Sequence, residues 1–256
     1  WPETIRALMI HSAEWTPAMR QQFAAATSEP QKRALLRKYG YGVPSLERAV
    51  FSAANDLTLI AEDELQPFWK DANDGGIKTR HMNLHQLPWP RTELEHLGET
   101  EVELRVTLSY YIEPNPGERG WLRRHRYPSH NLRFAVKRTL EPIDAFRARI
   151  NKAAAAEEQD LAVIDAGPDS WDLGRIRNLG SIHSDYWRGT AADLAQRSAI
   201  GVYPIGGWWK ENPAHHRYER TARYALIVSI RAVNGTIDIY TPVRVQITTP
   251  IEVTTT

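Results

Sequence analysis

The hydrophobic period of this chain changes part-way along, and that change limits the folds open to it. Through about Ala54 the apolar residues recur at helical spacing. Ile5, Leu8 and Met9 fall at i, i+3 and i+4 and so share one face of a helix that Pro2 suits to start. Met19 and Phe23 mark a second short helical stretch after Trp15-Thr16-Pro17. Ser28-Glu29-Pro30 opens a third, a capping residue followed by proline, with Ala34, Leu35 and Tyr39 on its apolar side. Gly40 and Gly42 stop it, and Val43-Pro44-Ser45 launches a fourth that carries Leu46, Ala49, Val50 and Ala53 along one face.

Beyond residue 100 the period is two. Val102, Leu104, Val106 and Leu108 alternate with polar residues, which predicts a strand buried on one face only. Leu132, Phe134 and Val136 repeat the pattern, as do Tyr224, Leu226, Val228 and Ile230. Asn234-Gly235 then gives a strong hairpin signal ahead of Ile237, Ile239, Val243, Val245 and Ile247. Ala199 to Trp209 is a further strand-like run, and two helical inserts interrupt, Ile143 to about Gln159 and Ala191 to Arg197. Between the two regimes, Leu57-Thr58-Leu59-Ile60 reads as a strand, and the rest of 56–99 is loose and rich in Pro, His, Asn and Gly. The expectation is an α+β chain: helices over 1–55, a connecting region over 56–99, and a jelly-roll-like antiparallel β-sandwich with helical insertions over 100–256.

Composition narrows the function classes. With 42% apolar and 25% charged residues over 256 positions, the chain is an ordinary globule able to bury a sizeable core. A net charge of +1 supplies no global field to recruit nucleic acid or an anionic membrane, so neither is expected as a partner. The absence of cysteine removes disulfides, a thiol nucleophile and thiolate metal sites, and fits a reducing cytoplasm. No apolar run approaches the length of a membrane span, and no signal peptide is visible. Trp1-Pro2-Glu3 carries no initiator Met and opens directly into a helix, which leads us to expect more chain ahead of it.

Two segments of the helical half carry a family resemblance when taken together. One is Pro2-Glu3-Thr4-Ile5-Arg6-Ala7-Leu8-Met9-Ile10-His11-Ser12-Ala13, and the other is Tyr39-Gly40-Tyr41-Gly42-Val43-Pro44 with Ala49. In order and spacing they resemble the end of the catalytic domain of subtilisin-like (S8 family) serine peptidases, over about Trp1 to Ala53. The later half resembles the β-rich C-terminal extension of a bacterial subgroup of that family, on Leu104 to Tyr110, Glu113-Pro114-Asn115-Pro116-Gly117, Gly180 to Asp185, and Gly206-Gly207-Trp208-Trp209-Lys210. The resemblance implies that residues 1–55 are a helical remnant of a subtilisin-type α/β domain. It implies peptide-bond hydrolysis by a Ser/His/Asp triad located upstream, because the family's nucleophile motif belongs just ahead of Pro2. This chain by itself is then inactive, its partners being the N-terminal catalytic segment of the same protein and a protein or peptide substrate. It further implies that Ile5, Leu8, Met9, Leu46 and Val50 lack the sheet they would normally pack beneath. The alternative, from another class, is a non-catalytic β-sandwich module that docks a partner protein.

No residue is assigned a catalytic, cofactor-binding or metal-binding role, and no cofactor is expected. His81 and His85 have H-x-x-x-H spacing, but the zincin glutamate is missing and Leu87-Pro88-Trp89-Pro90 disfavours a helix, so a solvated loop is expected there. His183, Ser184 and Asp185 supply triad residue types, yet neighbours on a strand point to opposite faces. Arg119-Gly120-Trp121-Leu122-Arg123-Arg124-His125-Arg126-Tyr127 reads as a charged loop between strands, and Trp208-Trp209 as packing residues. Glu157 and Glu158 read as helix-surface charges.

Overall fold

A computed structural model describes residues 1–54, 58–80, 82–87, 89–115, 127–158, 171–232 and 252–253. The chain is α+β. Four helices come first: α1 (Pro2–His11), α2 (Pro17–Ala25), α3 (Glu29–Tyr39) and α4 (Leu46–Ala54). Local chemistry sets their ends. Thr16 caps α2 by accepting from the Met19 amide, and Ser28 with Gln31 forms a capping box on α3. Gly42, at φ 99°, lets the chain turn back to pair Val43 with Glu14; a Cβ there would lie 2.3 Å from the Glu14 backbone.

The strands are β1 (Thr58–Leu65), β2 (Phe68–Lys70), β3 (Ile77–Thr79), β4 (Asn83–Gln86), β5 (Glu101–Tyr110), β6 (Asn131–Val136), β7 (Ile182–Thr190), β8 (Ala199–Ile205), β9 (Ala222–Ala232) and β10 (Glu252–Val253). Helices α5 (Arg91–His96), α6 (Ile143–Glu158), α7 (Ala191–Gln196) and α8 (Trp208–Glu211) lie among them. Among the described residues two antiparallel four-stranded sheets form, β1-β9-β5-β7 and β10-β4-β8-β6, with β2-β3 a separate hairpin. That hairpin aside, each successive strand among the described residues lies in the opposite sheet, so the described neighbours within the two large sheets are distant in sequence. One core fills the space between them, drawing Leu104, Leu108, Leu226 and Val228 from the first sheet and Leu132, Phe134, Ile200 and Val202 from the second.

Four expectations change. Residues 56–99 do more than connect, since β1 pairs over its full length with Ala222–Ser229 of β9 and β4 pairs with β8, one strand in each sheet. His85 therefore lies on β4 rather than in a loop, with Nε2 2.6 Å from the Tyr224 hydroxyl. Strand β5 is hidden on both faces, because α1 lies across the outer face of β5 and β9. The strand-like run at Ala199 ends at Ile205, and Trp208 begins a short helix. His81, the basic stretch 119–126 and the Asn234-Gly235 hairpin with the apolar positions after it lie outside the described residues.

Candidate functional site

Docking of α1 is polar where an amphipathic helix would be apolar. The side turned to the sheet carries Glu3, Thr4, Ala7 and His11, all buried; Ala7 packs on Ala225 and Ile227. Arg6 donates to the Ser109 hydroxyl (2.9 Å), to the Ser181 carbonyl (2.6 Å) and to the Tyr110 carbonyl. Returning the contact from β5, Arg105 donates to the carbonyls of Ile10 (2.8 Å) and His11 at the helix end. Both carbonyls lie in the last turn, where α1 has no i+4 amide to offer; that of Ile10 also accepts from the Ala13 amide at 3.0 Å. Outward, Ile5 is 65% exposed and Met9 54%, while Leu46 and Val50 on the neighbouring α4 are 81% and 59% exposed. Of the residues expected to lack a covering sheet, only Leu8 is partly packed.

His11 sits at the centre of the docking face. Its Nε2 is 2.7 Å from the Ser229 hydroxyl and its Nδ1 2.9 Å from the Thr107 hydroxyl, which is in turn 2.8 Å from that of Ser184. Burial, with Arg105 and Arg231 nearby, holds the imidazole well below its ordinary pKa, so it is neutral. A serine beside a histidine has the residue types of a nucleophilic pair. Here Nδ1 meets a hydroxyl instead of an orienting carboxylate, and the ring is only 4% exposed beneath α1, closed to a substrate. The arrangement is a structural clasp.

Alternation separates the other triad-type residues. Ser184 faces Thr107 on the α1 side, whereas Asp185, fully buried, accepts from the amides of Leu173 (2.8 Å) and Gly174 (2.9 Å) and pairs with Arg177 at 3.0 Å. Asp185 thus anchors the segment before β7. His183 Nε2 lies 3.1 Å from the Gly180 carbonyl, and its ring meets Tyr110 edge-on. Trp208 and Trp209 are core residues; their indoles donate to the Glu113 carbonyl (2.8 Å) and carboxylate (3.0 Å). Among the described residues, no group of three His, Cys, Asp or Glu side chains could hold a metal ion. None of their helices is long and apolar enough to cross a membrane.

What the alternation of β5 did not reveal is a cleft of about 670 Å³ where α2 and the turn before it overhang the outer face of the first sheet. Its walls are aromatic, from Trp15 and Phe23 (centroids 4.6 Å apart), Tyr41 and Tyr186. Four guanidinium groups, of Arg20, Arg105, Arg188 and Arg231, face two carboxylates, of Glu103 and Asp172. Glu103, nearly buried, bridges Arg188 (2.9 Å) and Arg231 (2.7 Å), and Arg188 also reaches Asp172 at 2.9 Å. Arg105 stacks 4.4 Å over the Tyr186 ring and spends its donors on carbonyls and the Ser184 hydroxyl. Burial raises the Asp172 carboxyl above its usual range despite Arg188, and raises the Tyr41 hydroxyl to about 12. In the sequence these polar β5 positions read as solvent-facing. The one signal against that was an Arg and a Glu two residues apart among Thr and Ser.

Known proteins say little about the chain. No protein-family description and no solved structure matches it. It is similar to an uncharacterised protein, y4bN, of Sinorhizobium fredii (strain NBRC 101917 / NGR234), with 32% identity over 138 residues. The match covers 54% of this chain and spans about a quarter (26%) of the relative's length.

Proposed function

We propose that this chain is the C-terminal portion of a subtilisin-like serine endopeptidase, working in the cytoplasm. In this reading α1–α4 complete a catalytic domain whose Ser/His/Asp triad lies elsewhere in the protein, and the sandwich stabilises that domain and docks substrate. The observation that carries the reading is the orientation of α1. An amphipathic helix normally buries its apolar stripe. This one turns its polar and small residues to the sheet and leaves Ile5 and Met9 open beside Leu46 and Val50. Covering such side chains gains roughly 1.5–3 kcal/mol each, so a stripe of four favours a permanent partner surface. The motif at Pro2 to Ala13 supports the peptidase as the source of that surface.

The test is to treat the full-length protein with a fluorophosphonate probe and a casein substrate. We expect casein hydrolysis and stoichiometric labelling of one serine outside residues 1–256. Labelling of a serine inside them would sink the proposal. An unlabelled, inactive full-length protein would select the other reading of the same stripe, a non-catalytic module that docks a partner protein.

A further inference from the structure

We propose that the cleft between α2 and the first sheet binds a monocarboxylate carried on an aromatic or aliphatic body. This inference does not rest on the peptidase reading.

Shape comes first. A concavity of about 670 Å³, walled by Trp15, Phe23, Tyr41 and Tyr186, falls within the size range of sites for small organic ligands and offers flat faces to an apolar group. Charge narrows the class. The lining holds four guanidinium groups against two carboxylates. Counting the charges just behind it, Glu14 and Arg48, leaves the same excess, because Glu14 is shared by Arg20 (3.5 Å), Arg48 (3.0 Å) and Arg231 (3.0 Å). Arg105 in particular is buried, with backbone carbonyls and a hydroxyl as its hydrogen-bond partners rather than a carboxylate. A cation held that way leaves positive potential in the cleft, and Arg20 presents the planar guanidinium fork that matches a carboxylate in geometry.

Glu103 and Asp172 set the limit on the other side. They stand in the same lining, so a dianion such as a phosphate monoester meets repulsion that a single carboxylate largely avoids. Arg20 is the group best placed to close on a ligand. It is 60% exposed at the mouth, and its contact to Glu14 is long. Ala24, one turn further along the exposed side of α2, sets the width of the opening.

Two sources can deliver this chemistry, a peptide C-terminus or a free organic acid. Isothermal titration of the full-length protein with four probes separates them: N-acetyl-Ala-Ala-Phe as the free acid, the same tripeptide as its amide, 3-phenylpropionate, and phenyl phosphate. The free acid is expected to bind at least about tenfold more tightly than the amide, the usual worth of a charge-assisted hydrogen bond. Arg20→Gln is expected to weaken the acid about tenfold, and Ala24→Trp, which fills the mouth from an exposed helix position, to abolish binding. Tripeptide acid tighter than 3-phenylpropionate assigns the site to peptide C-termini; equal affinity assigns it to small acids. The proposal is overturned if the amide equals the acid, if phenyl phosphate binds more tightly than 3-phenylpropionate, if Ala24→Trp changes nothing, or if no probe binds at millimolar concentration. Because the readout is binding, failure here leaves the peptidase reading intact, and an unlabelled serine there leaves the cleft intact.

Discussion

Along β5, the side chains that enter the sandwich and those that meet α1 are almost equally hidden from water, but by different physics. Val102, Leu104, Val106 and Leu108 are fully buried among apolar partners of both sheets. On the opposite side Glu103, Arg105, Thr107 and Ser109 are at most 7% exposed, and each is held by a named polar partner. The inner face is stabilised by area removed from water, roughly 1.5–3 kcal/mol for each large side chain. The outer face gains only about 0.5–1.5 kcal/mol net per hydrogen bond, yet leaves a costly orphan if one partner is lost. The first arrangement supplies stability. The second fixes where α1 sits, and so which way its apolar stripe points.

The largest expected effect tests the inner face. Leu104→Ala removes a fully buried side chain between the sheets, and we expect a loss of about 2–5 kcal/mol in urea denaturation, with both halves unfolding together. A loss confined to α1–α4 would show that the two faces are not divided as described.

Acid tests the outer face. The folded-state pKa of His11 is pushed well below the ordinary 6.5 by burial, with Arg105 and Arg231 adding to it. Below about pH 6.5 the unfolded state therefore binds a proton that the folded state refuses. Stability is complete above that value and falls as the pH drops toward the folded pKa. His130, pushed down to about 3 by burial, and His183, also well below 6.5, add to the global loss. The local part belongs to His11: between pH 6.5 and 5, hydrogen exchange should accelerate in α1 before β5 and β9. His11→Gln, which does not titrate, should remove that early acceleration. An unchanged pH dependence in the variant would mean that His11 is not the clasp.

Smallest of all should be the response of the outward stripe. Ile5→Ser and Leu46→Ser each alter a side chain already facing water, so within this chain we expect changes inside about 0.5 kcal/mol by thermal denaturation. A loss above about 1.5 kcal/mol from either would show that the stripe is covered within this chain.

Much of this architecture was legible beforehand. The change of period located the helices before Ala54 and the strands at 101–110, 131–136 and 222–232. The cap at Ser28 and the turn at Gly42 were readable because their chemistry is local. Strands β1 and β4 were harder. Residues 58–65 hold Glu62, Asp63 and Glu64, and 83–86 is Asn-Leu-His-Gln, so neither shows a clean alternation. Each is a strand because a long partner already lies alongside, β9 for one and β8 for the other.

The cleft was hardly legible. Its lining comes from positions as far apart as Trp15, Glu103, Asp172 and Arg231, and on their strands Glu103 and Arg231 look like ordinary solvent-facing charges. By itself the sequence determined which residues could form helices and strands, since periodicity and capping depend on neighbours a few positions away. Only the tertiary structure decided that the polar face of β5 would be buried and that α1 would dock with its apolar side outward. Burying Arg105 requires the carbonyls at the end of α1, Glu103 needs Arg188 and Arg231, and those partners meet only once sheet and helix are assembled.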